Sequence, residues 1–450
     1  MTEAAAPGRP KQGRIPPGDR PPYPAGEGPA SPWAWVPSLY FAQGIPYVVV
    51  MTLSVVLYKN LGISNTDIAL YTSWLYLPWV LKPLWSPLAE LFGTQRRWVT
   101  VLQFFIGAAL AGVALTLPME RAFQLSLAVF WLMAFASASH DIAADGYYML
   151  ALPRHSQAAF VGVRSTFYRL ANIGGQGGLV YLAGELTERS GSAAAAWTAV
   201  FWLLGALFVA LAGWHAFVLP RPAADIRGPG RKAARGLARE FLAVFASFFR
   251  KPGIVVTLGF LLLYRFPEAQ LLKLASPFLL DPADKGGLGL STKAVGIAYG
   301  TVGLTALTLG GLAGGWVIAR FGLKRALWPL VLAMHLPNLA FLALALAQPG
   351  SLWVVSGALA VEQFGYGLGF TAYLMYMILV AEGPHKTAHY ALCTGFMALG
   401  MMIPGMWSGW LQDHIGYVPF FGWVLLATLP SFMMTALIRI PEGFGSKESA

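Results

Sequence analysis

SPLAELFGTQRRW at Ser86–Trp98 and GWVIARFGLKRALW at Gly315–Trp328 decide the fold when they are set side by side. Each closes an apolar run, turns at a glycine (Gly93, Gly322), carries a basic pair (Arg96 and Arg97, Lys324 and Arg325) and leads into a new apolar run. Glycine suits such a turn because it reaches left-handed conformations without a steric penalty. The same loop in both halves of one chain predicts an internal repeat, a construction common in membrane transporters.

The rest of the chain fits that reading. A helix needs about 20 mostly apolar residues to cross a bilayer. Stretches of that kind fall at 33–58, 67–92, 98–118, 122–152, 157–186 and 193–219, and again at 252–280, 291–320, 325–347, 351–381, 385–412 and 417–440. Hydrophobic residues make up 56% of the chain and charged residues 11%, against roughly 25% charged in soluble domains, which excludes a soluble core. The expected architecture is all-α, with about 12 transmembrane helices in two six-helix bundles, 33–219 and 252–440. Residues 1–32, rich in Pro, Gly and Arg, read as a disordered tail without a secretory signal, and 441–450 as a second tail. In the linker at 220–251, Leu237, Phe241, Val244, Phe245 and Phe248 have helical spacing. They suit either an amphipathic helix on the membrane surface or a plain connection between rocking bundles. The single cysteine, Cys393, excludes an internal disulfide and a cysteine-cluster metal site.

Basic residues set the orientation. With both termini in the cytoplasm, 21 Lys and Arg fall in inside segments and 5 (Lys59, Arg121, Arg189, Lys285, Lys293) in outside loops, as the positive-inside rule requires. The net charge of +11 thereby belongs to the membrane interface, and no nucleic-acid partner is expected. Arg96, Arg97, Arg320, Lys324 and Arg325, with the acidic Glu90, are expected to brace the cytoplasmic end as gating pairs.

Nine charges lie deep inside apolar spans, where each costs at least about 2.5–3.5 kcal/mol unless it faces a partner or a cavity. They are Lys82, Asp141, Asp145, Arg164, Arg169, Arg265, Glu268, Lys273 and Glu362. Depths counted from the turn near Arg154 allow two cross-helix pairs, Asp145 with Arg164 and Asp141 with Arg169. Such pairs either brace an inner gate or line a cavity. Arg169 and Arg265 are expected at mid-membrane as receptors for substrate carboxylates, since the planar guanidinium donates two parallel hydrogen bonds. Pro267 loosens the helix beside Arg265. Glu268, Glu362 and Asp141 are rival proton carriers, ahead of His140 and His335. Tyr168, Tyr264 and Tyr373, with Tyr40, Tyr47 and Trp85, suit stacking on sugar rings. No nucleotide-binding G-x-x-x-x-G-K-[ST] motif occurs, so the energy source is expected to be an ion gradient, without a cofactor, metal or ATPase subunit. Short loops without catalytic clusters argue against a membrane-embedded enzyme.

The two loops resemble the signature G-x-x-x-D-R-x-G-R-R of the major facilitator superfamily, although Ser86, Glu90, Leu91 and Ala319 depart from it. A closer resemblance runs from Leu39 to about Leu426. GIPY (Gly44–Tyr47), KPLWSPL (Lys82–Leu88), ASASHDIAADGY (Ala136–Tyr147), LYRFPEA (Leu263–Ala269) and VEQFGYGLGFTAY (Val361–Tyr373) are similar to the AmpG muropeptide permeases, in the peptide–acetyl-coenzyme A transporter branch. His140 stands where Gln is usual there, and Arg265 with Glu268 where Lys with Asp is usual. The resemblance implies a monomeric proton symporter that imports anhydro-muropeptides across the bacterial inner membrane, with Lys82 at a basic position of the substrate path. Another bulky anion (an acyl-coenzyme A, a siderophore or a short peptide) is the alternative cargo.

Overall fold

The structure, a computed structural model, describes residues 31–91, 93–222, 225 and 242–446, without the side chains of 87–91, 154, 155 and 158. Most of the expected N-terminal tail, the linker residues Leu237 and Phe241 and the Glu90 side chain lie outside what is described.

Among the described residues, twelve helices cross the molecule. They are α1 (Pro32–Asn60), α2 (Asn65–Trp74 and Leu77–Leu91), α3 (Gln95–Thr116), α4 (Ala122–Ala151), α5 (residues 154–190) and α6 (Ala193–Val218), then α7 (Ile254–Leu280), α8 (Thr292–Phe321), α9 (Leu323–Ala347), α10 (Leu352–Ala381), α11 (Lys386–Ile415) and α12 (Tyr417–Leu437). Ten are long and apolar enough to span a membrane. The other two are interrupted or polar: α2 breaks after Trp74, and α5 carries Arg164, Arg169 and the run GGQGG at 174–178.

The two sets of six repeat one packing plan. Helix α1 packs on α5 as α7 packs on α11, and α3 lies between α4 and α6 as α9 lies between α10 and α12. Apolar packing is largely local to each set. Trp35, Tyr147, Phe201 and Phe208 are wholly buried in the first, and Phe260, Tyr264, Tyr373 and Phe420 in the second. The sets meet along α2 with α11 and α5 with α8, the same pairing repeated about the pseudo-two-fold.

Both repeat loops turn as expected, with Gly93 at φ +85° and Gly322 at φ +75°. Arg96 and Lys324 make their contacts within one set. Arg96 caps the end of α6 by donating from Nε to the Leu219 carbonyl (2.9 Å) and from Nη2 to the Ala216 carbonyl. The Asp225 carboxylate accepts from the backbone N–H groups of Gln95 (2.7 Å) and Arg96 (3.0 Å) at the start of α3, where a negative charge offsets the helix dipole. In the second loop Lys324 pairs with Glu442 at 2.9 Å, and the Leu323 N–H donates to the Phe444 carbonyl. Each loop is thus pinned to the segment that follows the last helix of its own set. Arg97, Arg320 and Arg325 are exposed and make no ion pair among the described residues.

Residues 242–249 form a short helix whose Phe248 is fully buried against Phe396 and His389, while Leu242 stays exposed.

Candidate functional site

A cavity of about 530 Å³ lies between the two sets, walled by α1, α2, α4 and α5 on one side and α7, α8, α10 and α11 on the other. Its wall carries Arg169, Arg265, Lys273 and Asp141 among aromatic and apolar side chains. The remaining helices stand outside as a scaffold.

Arg265 owes its place to a break in α7. The first segment ends at Leu263 and the second starts at Phe266, with Pro267 in its first turn, where the missing N–H costs nothing. Arg265 sits at the junction, only 8% exposed. One Nη group donates to the Tyr366 hydroxyl, and the guanidinium lies 4.8 Å from the Phe370 ring centre. Among the described residues its Nε has no partner, and no carboxylate forms an ion pair with it. This buried cation is solvated by aromatic faces and by the cavity itself.

Across the cavity Arg169 on α5 donates from Nη1 to the Thr308 carbonyl (3.3 Å) on α8. The Asp141–Arg169 pair that depth allows does not form. Asp141 instead accepts from Lys82 Nζ (3.3 Å) and Trp79 Nε1 (3.2 Å), which lie one turn apart on α2. Equal depth along a hairpin did not settle which neighbour each side chain faces; α5 turns Arg169 toward α8. The other allowed pair does form, Arg164 to Asp145 at 2.8 Å. Tyr40 donates to the same carboxylate (3.1 Å), and the Arg164 guanidinium lies over the Tyr40 ring. Asp145 remains 40% exposed, and Tyr40, Asp145 and Arg164 are not among the residues that line the cavity.

Tyr168 lines the cavity as expected, with Tyr47 and Trp79 beside it. Tyr264 and Tyr373 do not. They are wholly buried and stacked 5.0 Å apart. Tyr373 donates to the Leu261 carbonyl (2.6 Å) and Tyr264 to the Gly369 carbonyl (2.9 Å). The break in α7 leaves carbonyls without helical partners, and Tyr373 satisfies one of them. Their work is to support the bend that presents Arg265.

The three candidate proton carriers separate. Asp141 lines the cavity. Glu268 is buried behind the wall, bonded to His335 Nδ1 (2.7 Å) and Asn338 Nδ2 (3.4 Å), while His335 reaches Ser431 through Nε2 (2.7 Å). Glu362 is buried too and accepts from Gln363 Nε2 (2.8 Å). His140 is bonded through Gln103 to His215 in the first set. Among the described residues no group of three or more His, Cys, Asp or Glu is placed to hold a metal ion.

The end of the molecule away from residues 31 and 446 is sealed between the sets. Asp281, at the end of α7, accepts from Lys59 (2.5 Å), Asn65 (3.1 Å) and Tyr417 (2.6 Å). Glu185 pairs with Lys293 at 2.5 Å, and Asp413 accepts from Thr66 Oγ1 at 2.6 Å. Backbones touch here as well. A Cβ on Gly300 would lie 2.1 Å from the Gln176 carbonyl oxygen, and one on Gly409 2.0 Å from that of Asn65, so only glycine allows the approach. Nothing in hydropathy marked this seal, because its residues sit at helix ends far apart in sequence.

The sequence model of the Major Facilitator Superfamily matches residues 38–391. The chain belongs to that superfamily. Among curated relatives, a protein of Haemophilus influenzae of uncharacterized function is 26% identical over 407 residues, covering 87% of this chain and 91% of its own. The anhydromuropeptide permease of Escherichia coli K12 is 25% identical over 409 residues, covering 89% of this facilitator and 78% of the permease. Solved structures agree in fold. A POT family transporter in complex with a thioalcohol-conjugated peptide superposes with a TM-score of 0.67 at 10% identity, covering 89% and 94% of the two chains. A bacterial homologue of the human lysosomal transporter Spinster, inward-facing and unoccupied, gives 0.64 at 15%, covering 91% and 98%. The facilitator is a multi-pass membrane transporter.

Proposed function

We propose that this facilitator is a proton symporter that imports anhydro-muropeptides or related peptidoglycan fragments across the bacterial inner membrane. The observation that carries the reading is the cavity wall, where Arg169, Arg265 and Lys273 stand without acid partners among the described residues, beside one carboxylate already neutralised by Lys82. Unpaired buried cations are expensive in a membrane, and an anionic cargo supplies the missing partner. A peptide-bearing muramyl sugar brings several carboxylates together with rings that suit Tyr47, Tyr168 and Trp79. The anhydromuropeptide permease of Escherichia coli named above supports the same cargo.

Both termini face the cytoplasm in this reading, so the sealed end is periplasmic and the cavity is reached from inside. Asp141 is the coupling carboxylate, because it alone of the three candidates lies on the cavity wall. Arg265 and Arg169 hold the cargo's carboxylates from opposite halves.

Uptake of labelled anhydro-disaccharide tripeptide into proteoliposomes tests the reading. Accumulation is expected with an inward proton gradient and should collapse with a protonophore. Uptake indifferent to the protonophore would overturn symport. Absence of uptake, or displacement of the label by an acyl-coenzyme A, a siderophore or an unrelated short peptide, would overturn the cargo.

A further inference from the structure

Lys273 has no place in the sequence-based assignment of the site, and its surroundings are unusual. It lies eight residues beyond Arg265 on α7, roughly 12 Å farther along the helix axis toward the sealed end. It is 4% exposed and forms part of the cavity wall. Its stem is confined by α11, for a Cβ on Gly405 would lie 3.3 Å from Lys273 Cγ. Its Nζ makes one hydrogen bond, to Thr72 Oγ1 at 2.9 Å on α2, and lies 5.2 Å from the Tyr76 ring centre. No carboxylate pairs with it among the described residues. A neutral hydroxyl and an aromatic face are weak compensation for a buried ammonium, whose other two N–H groups still lack acceptors.

The second observation is Arg265 itself, equally buried, without an acid and with an unpartnered Nε. The same stretch of cavity wall therefore carries two uncompensated cations at different depths. The only carboxylate on the wall among the described residues, Asp141, is held by Lys82 and Trp79. A single acidic group satisfies one of these cations and leaves the other.

We propose that Arg265 and Lys273, whose backbone positions are roughly 12 Å apart along α7, form a two-point anion site that selects substrates bearing two separated acidic groups, with Lys273 as the inner receptor. The proposal rests on the reading of the cavity as an anion site and deepens it by naming the cargo as a spaced dianion. Because Lys273 bonds across the seam between the halves, an acid that reaches it draws the ammonium from Thr72 and loosens the contact of α7 with α2. Cargo of the right length thereby weakens the seam that must part, whereas a monoanion held at Arg265 does not.

The test uses purified full-length protein in nanodiscs and linear α,ω-dicarboxylates of increasing length, each beside its monocarboxylate. These probes are independent of the muropeptide assignment, so failure here is distinguishable from failure of uptake. Binding to the wild type should peak at the diacid that spans the two cations, about tenfold above the matching monoacid, the worth of one charge-assisted hydrogen bond. Lys273→Met should abolish the peak, so that each diacid binds no more tightly than its monoacid, and Lys273→Arg should retain a peak. Thr72→Val removes the competing hydroxyl and should strengthen diacid binding a few-fold. If Lys273 is only a brace, Thr72→Val leaves binding unaltered. No length preference in the wild type, or a peak that survives Lys273→Met, overturns the proposal.

Discussion

At the scale of residues, the cavity contrasts cations that are compensated with cations that are not. Lys82 has Asp141 and Arg164 has Asp145, whereas Arg265, Arg169 and Lys273 rely on hydroxyls, carbonyls and rings. The Asp141–Lys82 contact is long for an ion pair, at 3.3 Å, and a proton taken up by Asp141 would remove the attraction and release Lys82 into the cavity. Asp141→Asn imitates the protonated state. It should keep exchange of labelled substrate across proteoliposomes and lose accumulation driven by a proton gradient, while Glu268→Gln keeps both. Gradient-driven accumulation by Asp141→Asn would assign coupling elsewhere. The charged residues of this site were legible in the sequence because a charge inside an apolar run stands out against the cost of burying it. Their pairing was not. Depth along a helix can be counted, but rotation about its axis is set by packing, so Arg169 met Thr308 instead of Asp141. The uncharged polar wall, Asn172, Gln176 and Gln363 among it, gave no signal, since such residues are equally common at helix contacts.

At the scale of elements, breaks and close approaches decide what the helices can do. The break in α7 was anticipated at Pro267, and it turns Arg265 inward. Tyr373 was misplaced for a related reason: an aromatic near a broken helix serves a freed carbonyl as readily as a ligand, and Tyr264 stacks on it and bonds to the Gly369 carbonyl of α10. The sealed end depends on Asp281, whose carboxylate collects three donors from α1, α2 and α12. Replacing it with Asn leaves Lys59 without its counter-charge and should favour parting of that end. In a Cys393→Ser background, a cysteine at the cavity residue Met51 reports the change. Asp281→Asn should raise its modification by a membrane-impermeant thiol reagent, added from the side of the sealed end, about tenfold, the scale of one lost charged hydrogen bond. An unchanged rate would mean that the glycine contacts at Gly300 and Gly409 hold the seal without Asp281. Loop glycines were the most readable of these features, because positive φ at Gly93 and Gly322 leaves few alternatives to glycine.

At the scale of the whole molecule, twelve helices and their two-fold plan followed from apolar length and one repeated loop. Which helices meet across the halves did not, because hydropathy is blind to partners. The structure places α2 against α11 and α5 against α8, with the cavity enclosed between the pairs. In this account cargo is gripped by both halves at once, by Arg169 from one and Arg265 from the other, and that grip makes binding and rocking a single event. The most direct test is equilibrium binding of labelled anhydro-disaccharide tripeptide to purified wild type, Arg169→Ala and Arg265→Ala, with melting temperatures as a control on folding. Each replacement should weaken binding at least about tenfold, as loss of a charge-assisted hydrogen bond requires, in protein that still melts cooperatively. Either variant binding as tightly as the wild type would contradict a substrate held between the halves.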